Sequence, residues 1–341
     1  MKTKIITYGV CSVGGILLVL VAFFVWIVLS RPFNIVQPAM VYIDGDDTAD
    51  SVYCKLNSAT GDGSLFGLKF IARWRNYNGN VKSGAYKLTA GQTNLDIFRM
   101  LSRGHQTPVK LVVPNLRTID QLIGRIAWQV MADSADISRI VYDSANYTSM
   151  GFTPETLPAL FIPNTYEVYW NMDGWALMKR LKREYNNYWN QKRISKAQAI
   201  GLTPLQVSTL ASIVDEETAN NAEKPVVAGL YINRLKKGMF LQADPTVKFA
   251  LQDFTLKRIL LKHLSIDSPY NTYKYAGLPP GPIRIPSVQG LESVLNYARH
   301  NYLYMCAKED FSGTHNFAVT HSQHIVNAKL YQRELNRRKI K

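Results

Sequence analysis

The chain has 341 residues, 47% of them apolar and 19% charged, which leaves room for one to three domains with a real core and excludes a disordered chain. Three cysteines exclude a disulfide scaffold, and without a CxxC pair a thiolate zinc site has no basis. The 40 Lys and Arg against 25 Asp and Glu give a net charge of +15, which calls for an anionic partner: nucleic acid, anionic lipid or an acidic polymer.

From the N-terminus, Ile5 to Ser30 carries no charged side chain. As a helix this run spans roughly 39 Å, more than a ~30 Å hydrocarbon core. It is too long for the apolar region of a signal peptide, and no convincing small-x-small cleavage site follows. Residues 1–4 are read as a cytoplasmic N-terminus and 5–30 as a single-pass signal anchor that Pro32 stops. Lys2 and Lys4 precede it, so the positive-inside rule places the body on the exported side. Phe23, Phe24 and Trp26 suit a membrane interface. An exported basic body meets lipid head groups or, in bacteria, a carboxylate-bearing wall rather than nucleic acid. Cys54 and Cys306 are candidates for a disulfide in an oxidising compartment, given the right geometry.

Residues 31–110 read as a small mixed module. Ser64–Asn76 has helical apolar spacing and Lys82–Leu88 is a short strand. Thr93 caps a helix over Leu95–Ser102 that ends at Gly104, and Val109–Val113 is a strand. Residues 111–341 form a larger mixed domain. A helix starts at Thr118 and runs through Met131, residues 132–160 are loop-rich, and Phe161–Tyr166 is a turn. Asp173 to about Lys192 is an amphipathic helix with a basic face. Thr203 and Pro204 open a helix to Thr218. Another covers Val226–Lys237 and ends at Gly238. Rigid turn residues crowd 241–286 and suggest a shaped rim. The fold class is α+β.

On the helix from Thr203, Val207, Leu210, Ala211 and Val214 form one buried stripe, and Glu217 extends it. Asp215 and Glu216 point to other faces, where they can be solvated. A carboxyl among apolar neighbours has its pKa raised, which suits a general acid for glycoside cleavage. Spacing alone leaves open that Glu217 frays from the last turn or pairs with Arg234.

The run Leu210–Thr218 resembles the signature helix of the YceG-like family, the endolytic murein (peptidoglycan) transglycosylases. Asn233-Arg-Leu235 and Gly238-Met239 are similar to its second helix. Leu241-Gln242, Asp244–Val247, Tyr270–Tyr273 and Gly277–Gly281 are similar to its active-site loops. His315, Phe317 and His324 fit its closing segment, and Ser83–Tyr86 fits a LysM-like module. Two departures stand out: Asp215 where glutamate is expected, and Ile162 and Asn164 where an aromatic and an aspartate are frequent.

The resemblance implies Glu217 as catalytic acid in a lytic transglycosylase that leaves 1,6-anhydro-muramyl ends. It implies nascent peptidoglycan strands as substrate, penicillin-binding proteins as partners, and no cofactor or metal. His315, His321 and His324 are closely spaced, but no carboxylate or cysteine lies among them. Gln242, Tyr270, Asn271 and Tyr273 offer donors and flat rings for sugars, with plain packing as the alternative for each tyrosine. Asp244 is grouped with these substrate contacts, although Asp before Pro commonly turns onto its own backbone. Two other functions compete. A non-catalytic wall-binding adaptor would not need a buried carboxyl. A muramidase-type hydrolase would need a second carboxylate, for which Asp244 is the candidate.

Overall fold

A computed structural model describes residues 2–61, 63–256 and 258–338, with backbone alone for residues 2–13. The chain forms two compact units. The first is Met1–Leu111 with Gln129–Ala132 and Glu167–Met172; the second is Val112–Trp128, Asp133–Tyr166 and Asp173–Lys341.

The first unit opens with α1 (Lys2–Leu29), followed by β1 (Ala39–Ile43), α2 (Ala49–Thr60), α3 (Phe66–Trp74), β2 (Gly84–Leu88), α4 (Asn94–Arg103) and the start of β3 (Val109–Val113). β1 and β2 pair antiparallel, with Val41 opposite Tyr86. α2 packs on β1, α3 on α4, and α1 on both α3 and α4. Ile43, Leu56, Leu68, Tyr86, Leu88 and Ile97 fill the core. The buried Tyr86 hydroxyl donates to the Lys82 carbonyl at 2.9 Å, so its polar tip is satisfied. Thr93 and Asp96 form a reciprocal capping box at the start of α4, and Gly104 ends it at φ 68°. Asn94 is buried for a reason: its amide donates to Ile27 O and Ser30 Oγ at the end of α1, where Ser30 Oγ itself donates to Ile27 O.

Among the described residues no single helix is long and apolar enough to cross a membrane; the apolar helix found there is Gly14–Leu29. The expected span over Ile5–Ser30 runs into residues 5–13, whose side chains lie outside the description. Cys54 and Cys306, the two candidates for a disulfide, are free thiols.

The second unit holds α5 (Ile119–Ala127), α6 (Ser134–Val141), α7 (Ser144–Ser149), β4 (Asn164–Val168), α8 (Gly174–Tyr188) and α9 (Gln191–Ala199). Then come α10 (Pro204–Glu217), α11 (Lys224–Lys236), α12 (Asp244–Leu251), α13 (Val288–Leu295), β5 (Tyr304–Ala307), β6 (His315–Ala318) and α14 (His321–Arg337). β3 and β4 form one two-stranded sheet, β5 and β6 another.

The helix from Thr118 stops at Ala127, four residues short of Met131. Residues 132–160 are not a loop region: Asp133 and Asp143 cap α6 and α7, each too short to show a periodicity in sequence. The supposed turn at Phe161–Tyr166 leads into β4, whose inward residues are Tyr166 and Val168.

The largest correction concerns α10. It opens with a Thr203–Gln206 capping box and Pro204 in its first turn. However, Val207 to Val214 are all buried, not one stripe of them. The helix runs through the centre of the unit, with α9, α11, α12 and α13 packed around it. Its hydroxyls are tied internally: Ser208 donates to Pro204 O, Thr209 to Leu205 O and Ser212 to Thr209 O. Ser212 Oγ also accepts from Ile283 N at 2.9 Å, which pins the proline-rich segment against the helix.

Candidate active site

Three consecutive acids end α10, and the fold treats them differently. The Asp215 carboxylate accepts from Lys224 Nζ, Ser287 Oγ and Ser287 N, each at 2.7 Å. Its side chain is 2% exposed, and that of Lys224 is 8%. α13 approaches so closely that a Cβ on Gly290 would lie 2.7 Å from the carboxylate, which is why glycine stands there. Glu216 is held by Arg117 at 2.8 Å and Arg284 at 2.8 Å. The expectation that Asp215 and Glu216 are solvated is therefore corrected. Distant segments cover those faces and bring cations with them.

Glu217 receives no such cation. Its Oε1 accepts from the Tyr231 hydroxyl at 2.5 Å. Arg234, the partner that spacing left open, is spent elsewhere: Nε donates to Leu303 O, and Nη1 to the carbonyls of Phe240 and Leu241. It also reaches Gln242 Oε1 at 3.3 Å. Burial pushes the Glu217 carboxyl up to about 7. The Tyr231 hydrogen bond and His315 pull it down, while the Asp244 and Glu216 charges add to the rise. Near neutral pH this carboxyl is thus poised between donating and accepting a proton.

Glu217, Tyr231, Gln242, Asp244, Tyr273 and His315 line one cavity of about 210 Å³. Gln242 holds a left-handed backbone, φ 51°, unusual for a residue with a Cβ. Thr272 enforces it: Gln242 N donates to Thr272 O, and Ala243 N donates to Thr272 Oγ1. Asp244 does not turn onto its own backbone as expected. It begins α12 and accepts from the Tyr273 hydroxyl at 2.6 Å. A second cavity, of about 240 Å³, shares Glu217, Ala307 and His315 with the first and extends along the β5–β6 connection.

Of the residues proposed from sequence, Glu217, Gln242, Asp244 and Tyr273 come together. Tyr270 and Asn271 do not line either cavity. Tyr270 packs against Phe249, with the rings tilted and 4.6 Å between centroids. Asn271 is fully buried and donates to Leu264 O and Ile266 O, so it shapes the loop instead of facing a ligand.

Sequence reasoning missed Tyr231 and Glu223. Tyr231 sits in the apolar run Val226–Ile232, where a single hydroxyl was the available signal. Glu223 is buried and binds both the backbone N of His315 at 2.7 Å and its Nδ1 at 2.9 Å. That bond orients the ring and leaves Nε2 with no hydrogen bond among the described residues. No sequence signal joins positions so far apart.

The YceG-like family matches residues 41–330. An endolytic murein transglycosylase of Bacillus subtilis is 38% identical over 135 residues, covering 40% of this chain and 36% of that protein. One of Streptococcus pneumoniae is 27% identical over 275 residues, covering 70% of this chain and 48% of that protein. The chain thus spans half or less of the length of these relatives. The solved structure of a yceG-like protein from Listeria monocytogenes superposes with a TM-score of 0.56 at 26% identity, covering 85% of this chain and 98% of that one.

Proposed function

The chain belongs to the YceG-like family, and from that membership we propose that it is an endolytic lytic transglycosylase of peptidoglycan. The substrate is the bond between N-acetylmuramic acid and N-acetylglucosamine within a nascent strand. The observation that carries this reading is Glu217, a carboxyl held near 7 with a hydroxyl partner and no cation, at the junction of two cavities. Protonated Glu217 donates to the leaving glycosidic oxygen. Its carboxylate then takes the proton of the muramyl 6-hydroxyl as O6 attacks C1, which closes the 1,6-anhydro ring. One carboxyl serves both steps, so no second carboxylate is required. Asp244 is engaged by Tyr273, and its charge adds to the burial that raises the Glu217 carboxyl.

The N-terminal apolar segment anchors the chain in the bacterial cytoplasmic membrane with its body outside. There the basic surface suits an acidic glycan beside anionic lipid. The first unit, two antiparallel strands with two helices between them, serves as a LysM-like glycan-holding module. Penicillin-binding proteins supply the strands that are cut.

Mass spectrometry of peptidoglycan digested by the full chain in detergent, beside its Glu217→Gln variant, tests the reading. Anhydro-muramyl ends from the unmodified chain and none from the variant are expected. Reducing ends would make the enzyme a hydrolase and restore Asp244 as a second carboxylate. Binding of glycan without cleavage would leave an adaptor.

A further inference from the structure

α3 exposes an aromatic stripe. Phe66, Phe70 and Trp74 recur every four residues, so they lie on one face of the helix. They are 60%, 44% and 68% exposed, whereas Leu68, Ile71 and Ala72 on the opposite face are buried in the unit's core. Three large rings in a row facing water are costly to keep unless something covers them.

Two observations say what covers them. First, the stripe is continuous with α1. Phe24 of α1 meets the rings of Phe70 and Trp74 edge-on, at 6.3 and 6.1 Å between centroids. Phe24 lies within the apolar helix Gly14–Leu29, whose other side chains are largely exposed. It stands six positions before Ser30, roughly 9 Å along the helix axis. If α1 is immersed up to Ser30, the rings of α3 are immersed to the depth at which amphipathic surface helices lie.

Second, cations surround the stripe. Arg73 and Arg75 flank Trp74, and the Arg75 guanidinium lies 5.0 Å from the Trp74 ring. Arg99 and Arg103, one turn apart on α4, line a cavity with Trp74, Arg75, Phe24 and Val28. The ion pairs of this unit among the described residues are those of Lys55 with Asp44 and Asp47. Among the described residues the four arginines form no ion pair, the Arg99 charge acting on the exposed Asp96 only at longer range. Apolar rings with unpaired guanidinium groups beside them match a bilayer surface, with acyl chains against the rings and phosphates against the arginines.

We propose that this face of the first unit, the α3 stripe with Arg73, Arg75, Arg99 and Arg103, seats on the anionic leaflet into which α1 passes. The cavity beside Phe24 takes a lipid phosphate. This rests on the reading of α1 as an anchor and adds a second, peripheral attachment. The first unit is then held against the membrane and does not swing from a single helix.

The test uses the full chain with its three cysteines replaced by Ser and Phe70→Cys, nitroxide-labelled and reconstituted into phosphatidylglycerol–phosphatidylcholine vesicles. Label relaxation by oxygen, which partitions into lipid, is compared with relaxation by a water-soluble nickel chelate. The same label at Phe66→Cys guards against a local packing defect at position 70. Both sites are expected to favour oxygen, with the ratio falling about fivefold or more when Arg73, Arg75, Arg99 and Arg103 are all Gln. Protein that floats with the vesicles while both labels stay open to nickel would overturn the seating and leave the anchor intact. Protein that does not float would overturn the anchor and the seating together. A ratio unchanged by the four Gln substitutions would overturn the role given to the arginines.

Discussion

One turn of α10 carries two kinds of carboxylate. On the side facing α13 and the arginines, Asp215 and Glu216 are structural groups, each given its cations by the fold: Lys224 for one, Arg117 and Arg284 for the other. On the pocket side, Glu217 has the same chemistry and similar burial but only a phenol for a partner. The difference teaches that burial alone does not prepare an acid for catalysis. What matters is where the cations go. A buried carboxylate with a cation stays ionised and holds elements together. A buried carboxyl without one keeps its proton near neutral pH and can pass it on.

Changes on the two sides are expected to have opposite signatures. The largest effect belongs to Glu217→Gln, which removes the transferable proton. Anhydro-end release is expected to fall by at least about 10³-fold, while the thermal midpoint does not drop. A variant that kept a tenth of the activity would sink the assignment.

On the other side, Lys224→Met takes the cation from a buried carboxylate. Loss of about 3 kcal/mol or more in denaturant unfolding is expected, since a broken buried pair leaves an uncompensated charge. Asp215→Asn in the same background should recover part of that loss.

The pH dependence separates the sides again. Glu217 has a folded-state pKa of about 7 against a reference of 4.5, so the folded protein binds this proton more tightly than the unfolded chain. Stability from this group is therefore full below about pH 4.5 and is lost as pH rises towards 7 and beyond. Glu217→Gln is free of that loss. The variant should gain on the parent by up to about 3 kcal/mol at pH 8 and by almost nothing at pH 4. Parallel pH–stability curves would contradict the raised pKa.

Smaller shifts come from the neighbours. Asp244→Asn removes a negative charge that favours the protonated form, so the alkaline limb of the rate profile should move to lower pH. Tyr231→Phe removes a donor that favours the ionised form, so the limb should move to higher pH. Both are read from kcat/KM against pH. Shifts in the same direction for both variants would show that the neighbours act through packing instead of charge.

Much of the local structure was legible. Thr93 and Thr203 cap helices with Asp96 and Gln206 three positions on, and Gly104 ends α4, because such signals lie within a few residues of one another. α6 and α7 were not legible, since one or two turns cannot establish a period. The stripe on α10 picked out Glu217 correctly as inward, yet the helix is buried all round. The same reasoning therefore misplaced Asp215 and Glu216 as solvated.

By itself, the sequence determined the α+β class, the caps, the apolar N-terminal run, the inward glutamate and the resemblance that named a reaction. Only the tertiary structure decided which acid goes without a cation. Arg117, Arg284 and Ser287 reach α10 from positions 99, 68 and 72 residues away. The structure alone also set Gln242 in a left-handed backbone on Thr272 and joined His315 to Glu223. Helix caps and apolar periods are short-range and repeat along the chain. The state of a carboxyl depends on charges a few ångströms away in space, and those are set by how distant segments close around it.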